Sequence, residues 1–203
     1  MKAPALLDPE TFTRFGFFAK RAFLSRGQCL RLRRILRTSP DRPGEVWMHG
    51  RSTLARDKRR VSVLEPSART RAWVDQAFRR IMPLLGRHFG RRLSGHEGVQ
   101  YLRYPEGGHY VLHTDRTPGT RDPQVRRRKV SLIVFLSPAG RGPGRHLGGE
   151  LVFPWAGSGK SRTRYPLAVR SEAGLLVAFD PGIEHEVRRV RRGTRFSLAT
   201  WYY

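Results

Sequence analysis

At Val99 the chain changes character. Before it, apolar residues recur every three or four positions; after it they gather in short runs divided by glycine and proline. Short runs of that kind read as strands, here near 99–104, 109–113, 130–136, 149–154, 165–170, 175–179, 185–190 and 194–201. Eight short strands after two helices point to an α+β class dominated by β, a double-sheet jelly roll backed by N-terminal helices. A chain of 203 residues suffices for one such domain. We therefore expect a single domain over 1–203, with 1–98 as a helical support region and 99–203 as the β core.

The helical half has its own punctuation. Ser25 is a natural N-cap for a helix whose apolar residues are Cys29, Leu30, Leu32, Ile35 and Leu36. The stretch Ser39-Pro40-Asp41-Arg42-Pro43-Gly44 stops that helix and reads as a loop. Arg59 to Leu64 alternates well enough for one strand. Pro66-Ser67 opens a second helix with a stripe of Trp73, Val74, Ala77, Phe78, Ile81, Met82 and Leu85, ended by Gly90. Such a stripe packs against a sheet.

Charge is the unusual feature. Forty basic residues face sixteen acidic ones, a net +24, and all but five of the forty are arginine. That balance attracts polyanions such as nucleic acid or the ribosome, although the arginines are scattered and no zinc-finger or RNA-recognition signature accompanies them. The lone Cys29 permits neither an internal disulfide nor a cysteine zinc site, which favours a reducing, cytoplasmic setting. No run approaches membrane-spanning length and the N-terminus lacks a signal-like apolar stretch.

Three polar loops, Arg116 to Lys129, Pro138 to Leu147 and Trp155 to Arg164, are expected around the mouth of the barrel. The last contains Gly157-Ser158-Gly159-Lys160-Ser161. It lacks the first glycine of a phosphate loop at the required spacing, and no helical pattern follows.

The chemistry gathers in Tyr104 to Asp115, YPEGGHYVLHTD, and in His185 to Trp201. His113 and Asp115 are two apart next to a strand-like run, so they project from one face, about 6–7 Å of rise apart. An imidazole from His185 would complete a 2-His-1-carboxylate set with open coordination positions, the arrangement of non-haem Fe(II) oxygenases; zinc would bind the same donors.

The order of features after His-x-Asp carries more weight than the triplet itself. A buried-looking strand is followed by Gly148-Gly149-Glu150-Leu151, then Leu175 to Phe179, then His185, Arg195 ten residues later, and Trp201. This order, over roughly Phe23 to Tyr203, resembles the prolyl 4-hydroxylase-like branch of the Fe(II)/2-oxoglutarate-dependent dioxygenases. The resemblance implies a distorted double-stranded β-helix with 99–203 as its catalytic core. It implies Fe(II), 2-oxoglutarate and O2 as cofactor and co-substrates, with ascorbate as a reductant. His113, Asp115 and His185 are then the metal ligands and catalytic centre. Arg195 anchors the far carboxylate of 2-oxoglutarate through paired donors; Ser197, on the same strand face, adds a hydroxyl. Tyr104 is a co-substrate contact and Tyr110 a pocket wall, while Val134 stands where some relatives carry a further tyrosine. Trp201 packs beneath the site. The implied reaction couples decarboxylation of 2-oxoglutarate to hydroxylation of an unactivated C–H, and a carboxylate at position 115 favours hydroxylation over halogenation.

The acceptor is expected to be a prolyl or other residue in a protein or peptide, with a free amino acid or biosynthetic small molecule as the alternative. The RFSLATW ending lacks the second spaced arginine of the nucleic-acid demethylases. From a different class comes a non-catalytic basic metal-binding module recruited to nucleic acid or ribosomes.

Overall fold

The computed structural model describes residues 16–48, 51–116, 119, 121–154 and 166–203. The whole of the Trp155–Arg164 loop, with its Gly-Ser-Gly-Lys-Ser string, lies outside the described residues, as do 117, 118 and 120 of the basic loop and the first fifteen residues.

A short strand β1 (Phe18–Lys20) leads to helix α1 (Arg26–Thr38). Ser25 and Gln28 form a capping box, each side chain satisfying the other's backbone N–H. Cys29, Leu32 and Leu36 are buried. Burial pushes the Cys29 thiol up to about 11, so it packs as an unreactive apolar group. Leu30, expected in the apolar stripe, is instead 42% exposed, because it lies a third of a turn away from the buried face that Cys29 defines.

The Ser39–Gly44 stretch is only partly the expected loop. Asp41–Pro43 forms β2, paired with Leu64, Val63 and Ser62 at the outer edge of a sheet, the position where a proline costs no ladder bond. A hairpin of β3 (Val46–Met48) and β4 (Arg51–Thr53) follows. The single strand expected over Arg59–Leu64 breaks at Val61 into β5 (Arg59–Arg60) and β6 (Ser62–Leu64), which belong to opposite sheets. Alternation persists across the break, which is why the sequence reads as one strand. Helix α2 (Ala68–Phe89) starts at Ser67 and ends at Gly90, whose φ of 61° is left-handed. The remaining elements are β7 (Gln100–Tyr104), β8 (His109–His113), α3 (Pro123–Arg126), β9 (Val130–Phe135), β10 (His146–Gly148), β11 (Leu151–Phe153), β12 (Leu167–Val169), β13 (Leu176–Phe179), β14 (His185–Val187), β15 (Val190–Gly193) and β16 (Arg195–Tyr202).

Two sheets dominate. The larger has the order β1-β13-β9-β16-β7-β6-β2 and the smaller β12-β11-β14-β8-β5. Strand alternation divides the apolar residues between two cores. Val130, Leu132, Val134, Phe196, Leu198 and Tyr202 face α1 and α2. Phe135, Val177 and Phe179 face inward, against Leu151, Phe153 and Val187 of the smaller sheet. The Tyr202 hydroxyl donates to the Phe78 carbonyl at 2.8 Å, fastening sheet to helix. This is the expected jelly-roll sandwich with helices behind it. The first 98 residues also contribute strands to both sheets, through β1, β2, β5 and β6. No described helix is long and apolar enough to cross a membrane.

Candidate active site

His113 ends β8, His185 begins β14, and the two residues are register partners. From Val187↔Tyr110 to His185↔His113, β8 runs three residues against two on β14, a bulge at the rim of the smaller sheet. Val111 and Leu112 are consequently both exposed, at 39% and 45%, where a regular strand would alternate. The bulge turns His113 inward.

Asp115 lies just beyond the end of β8, in a bend. Its N–H and that of Arg116 both donate to the Pro181 carbonyl at 2.9 Å. The Asp115 carbonyl accepts from Arg128 Nη1 at 2.8 Å. These bonds set the carboxylate between the imidazoles: Oδ1 is 3.8 Å from His113 Nε2 and Oδ2 is 3.6 Å from His185 Nε2. One donor atom from each of the three residues falls within 4.8 Å of the others.

The ring nitrogens are already committed. His113 Nδ1 donates to the Val111 carbonyl at 2.8 Å and His185 Nδ1 to the Ile183 carbonyl at 3.0 Å. Each ring therefore turns the lone pair of Nε2 to the centre, the tautomer a metal requires. Burial holds His113 well below the ordinary imidazole range, at about 3, with the neighbouring His185 acting in the same direction and Asp115 opposing. Burial alone would raise the Asp115 carboxyl. The His185 and His113 imidazoles, the Ser131 hydroxyl and the Trp201 indole outweigh it, and the carboxyl lies below its usual range. At neutral pH His113 is thus a neutral imidazole and Asp115 a carboxylate. Tyr110 stacks on His113 with centroids 3.5 Å apart, and Phe179 and Phe153 back the His185 ring at 4.7 and 6.1 Å. His109 is not part of the cluster; its two nitrogens face the carbonyls of Gly107 and Asp57.

Arg195 occupies the start of β16, opposite Tyr104 on β7. It is 1% exposed and is among the largest fully buried side chains. Nη1 donates to Ser197 Oγ at 2.8 Å, and the guanidinium lies 4.9 Å from the Tyr104 ring centroid and 5.2 Å from that of Phe135. Nε and Nη2 have no partner. Burial pulls this guanidinium below its ordinary value. A buried cation with two unmet donors is costly unless an anion completes it, and the planar fork suits a carboxylate. Gly149, with φ of +73°, makes room: a Cβ there would lie 2.9 Å from Arg195 Cδ. The structure brings His113, Asp115, His185 and Tyr110 together in one group and Arg195, Ser197 and Tyr104 in another.

Sequence reasoning passed over the supports. Arg128 grips Glu97 through Nε at 2.7 Å and Nη2 at 2.9 Å, lies 4.0 Å from the Trp201 ring centroid and holds the Asp115 carbonyl. In the sequence it is one arginine in the run Arg126-Arg127-Arg128-Lys129 and nothing marks it out. Arg128→Leu should leave the buried Glu97 carboxylate without its counter-charge, with only the Gln124 amide donating to it at 3.0 Å, at a cost of about 3 kcal/mol, and weaken metal binding at least tenfold through the loosened Asp115. Urea unfolding checks the first effect. The double variant Arg128→Leu/Glu97→Leu should recover most of the stability but not the metal affinity.

Comparison with known proteins agrees with this geometry. A family model described as the 2OG-Fe(II) oxygenase superfamily matches residues 99–203. The structure is similar to a prolyl-4-hydroxylase from Pseudomonas putida, with 26% identity, TM-score 0.62, and coverage of 92% of this chain and 91% of the other. It shares its fold with a Trichoplax adhaerens prolyl hydroxylase solved with a hypoxia inducible factor oxygen degradation domain peptide, at 20% identity and TM-score 0.64, over 96% of this chain and 86% of that one. The fold is also that of a viral collagen prolyl hydroxylase from Paramecium bursaria Chlorella virus-1, at 17% identity and TM-score 0.58, covering 92% and 94%. No curated protein matches the chain.

Proposed function

The chain belongs to the 2OG-Fe(II) oxygenase superfamily, and from that premise we propose that it hydroxylates a residue, a prolyl ring foremost, within a protein or peptide. It is an Fe(II)- and 2-oxoglutarate-dependent dioxygenase of the prolyl 4-hydroxylase-like branch. In our reading residues 1–203 act as one domain, 1–98 supporting a catalytic core of 99–203.

The observation that carries the residue assignment is the pairing of a His/Asp/His donor set with a buried arginine that has two unmet N–H groups. His113, Asp115 and His185 hold Fe(II). Bound there with 2-oxoglutarate and O2, the iron supplies the oxidative power for inserting oxygen into an unactivated C–H. The chain's own contribution is positional. Val111 and Ile183 fix the imidazole tautomers through their carbonyls, and Tyr110 holds the His113 ring plane. Phe153 and Phe179 close the back of the site to water. Arg195, oriented by Ser197 and the Tyr104 ring, takes the far carboxylate of 2-oxoglutarate. The donors exist before the ligand arrives, so binding costs little reorganisation.

Support for a peptide acceptor comes from likeness to the Pseudomonas putida prolyl-4-hydroxylase across nine-tenths of both chains. The test is a set of proline-containing peptides incubated with enzyme, Fe(II), 2-oxoglutarate and ascorbate, followed by mass spectrometry and succinate assay. Gain of one oxygen on proline, matched by succinate and absent with His113→Ala, is the expected result. Oxygen gained only by free amino acids or small metabolites transfers the reading to the small-molecule class. Absence of succinate from the iron-loaded protein with every acceptor would leave a metal-binding module.

A further inference from the structure

Part of the net +24 lines two adjoining cavities. A cavity of about 650 Å³ lies between the β1 and β12 edges of the two sheets, which have no further strand among the described residues, walled by Ala19 of β1 and Val177 of β13 on one side and by Ala168 and Val169 of β12 on the other. A second, of about 360 Å³, reaches Gly193, Thr194 and Phe196. The two share Arg33 and Arg145. None of the seven residues assigned above lines either one.

The lining is strongly one-signed. Seven arginines contribute to the two cavities against one acid, Glu172. Arg21 pairs with Glu172 at 3.4 Å and Arg103 with Asp41 at 2.6 Å. Arg26, Arg37, Arg145 and Arg170 make no ion pair among the described residues. Arg33 donates from Nη1 to the Gly144 carbonyl at 2.6 Å, while its buried Nε has no partner. Guanidinium groups brought together without counter-charge raise the local potential and repel one another. A bound polyanion reverses that.

We propose that this trough binds the sugar–phosphate backbone of single-stranded nucleic acid. Arginine forks suit phosphate oxygens, and two concave stretches joined at shared arginines suit a ligand whose charges repeat along a chain. The apolar wall, with Leu30 42% exposed beside it, offers a surface to sugars and base faces, the combination single-strand sites use. The exposed Leu30 and the unpaired arginines beside it thereby acquire one explanation.

Fluorescence anisotropy with 12-nucleotide RNA and DNA probes, between about 50 and 200 mM salt, tests this on the full chain. Arg26→Gln/Arg37→Gln/Arg170→Gln should weaken binding at least about tenfold and lower the slope of log affinity against log salt by about two, at roughly 0.7 per phosphate contact. Arg80→Gln/Arg87→Gln/Arg92→Gln removes the same charge from α2 and its C-terminal flank and should change binding less than about twofold. Both triple variants should keep the 2-oxoglutarate turnover of the parent. Tighter binding of RNA than DNA assigns a contribution to the 2′-hydroxyl; equal binding assigns it to phosphate alone, and either supports the trough. Equal losses in the two triples, no binding of either probe, or a poly-glutamate peptide binding as tightly as RNA would overturn it.

Discussion

His185→Ala is expected to remove high-affinity Fe(II) binding and to reduce succinate formation by more than about 100-fold, the upper range for losing only a supporting group around a metal. His185 is 3% exposed and directly opposite His113 across the β8–β14 ladder. Its Nδ1 is spent on the Ile183 carbonyl, leaving Nε2 3.6 Å from the Asp115 carboxylate with no other role in the fold. The ring lies among Phe153 and Phe179, so truncation leaves a small cavity and costs about 1–2 kcal/mol of stability. That is modest beside the loss of metal. Metal titration followed calorimetrically, alongside thermal melting of the same samples, separates the two effects. A variant that melts normally and still binds Fe(II) as the parent does would remove His185 from the donor set.

Arg195→Met gives the second large effect, and its two halves have opposite signs. Loss of a hydrogen-bonded partner from a buried ion pair costs roughly 2–5 kcal/mol, so the KM for 2-oxoglutarate should rise at least about 30-fold. Without co-substrate, however, the parent keeps a fully buried guanidinium with Nε and Nη2 unmet. An apolar side chain of similar length removes that burden, and the free protein should be as stable as the parent or more so. Saturating 2-oxoglutarate should then raise the melting temperature of the parent and not that of the variant. A variant destabilised in the absence of 2-oxoglutarate, with its KM unchanged, would make Arg195 a structural residue.

Much of this was legible from the residues. The two helices follow from period and caps, Ser25 and Ser67 at the starts and Gly90 at an end. The core strands follow from their apolar runs, and the donor set from the His-x-Asp triplet with a distant histidine. Other features leave no local trace. β1, β2, β10 and β15 are three or four residues long, and β2 and β15 are rich in proline, glycine or arginine; they exist because a neighbouring strand offers hydrogen bonds. The bulge in β8 reads as an ordinary strand, since Val111 and Leu112 are good strand formers in either geometry. Arg128 and Glu97 are far apart in the chain, and an ion pair formed by tertiary approach has no sequence pattern. Arg195 was distinguishable from its arginine neighbours only through its distance from His185 and its place on an alternating strand. That Nε and Nη2 lack partners is visible only in three dimensions.

The central claim is that His113, Asp115 and His185 form one site with Arg195, so that iron and 2-oxoglutarate bind there together. Two sites that share a ligand are coupled, and the coupling is reciprocal. Anaerobic calorimetric titration of 2-oxoglutarate, with and without Fe(II), measures it directly. The prediction is binding at least about tenfold tighter with the metal present, abolished by Asp115→Ala. Equal affinity with and without iron would contradict the account, because the diacid would then be held without touching the centre that these three side chains build.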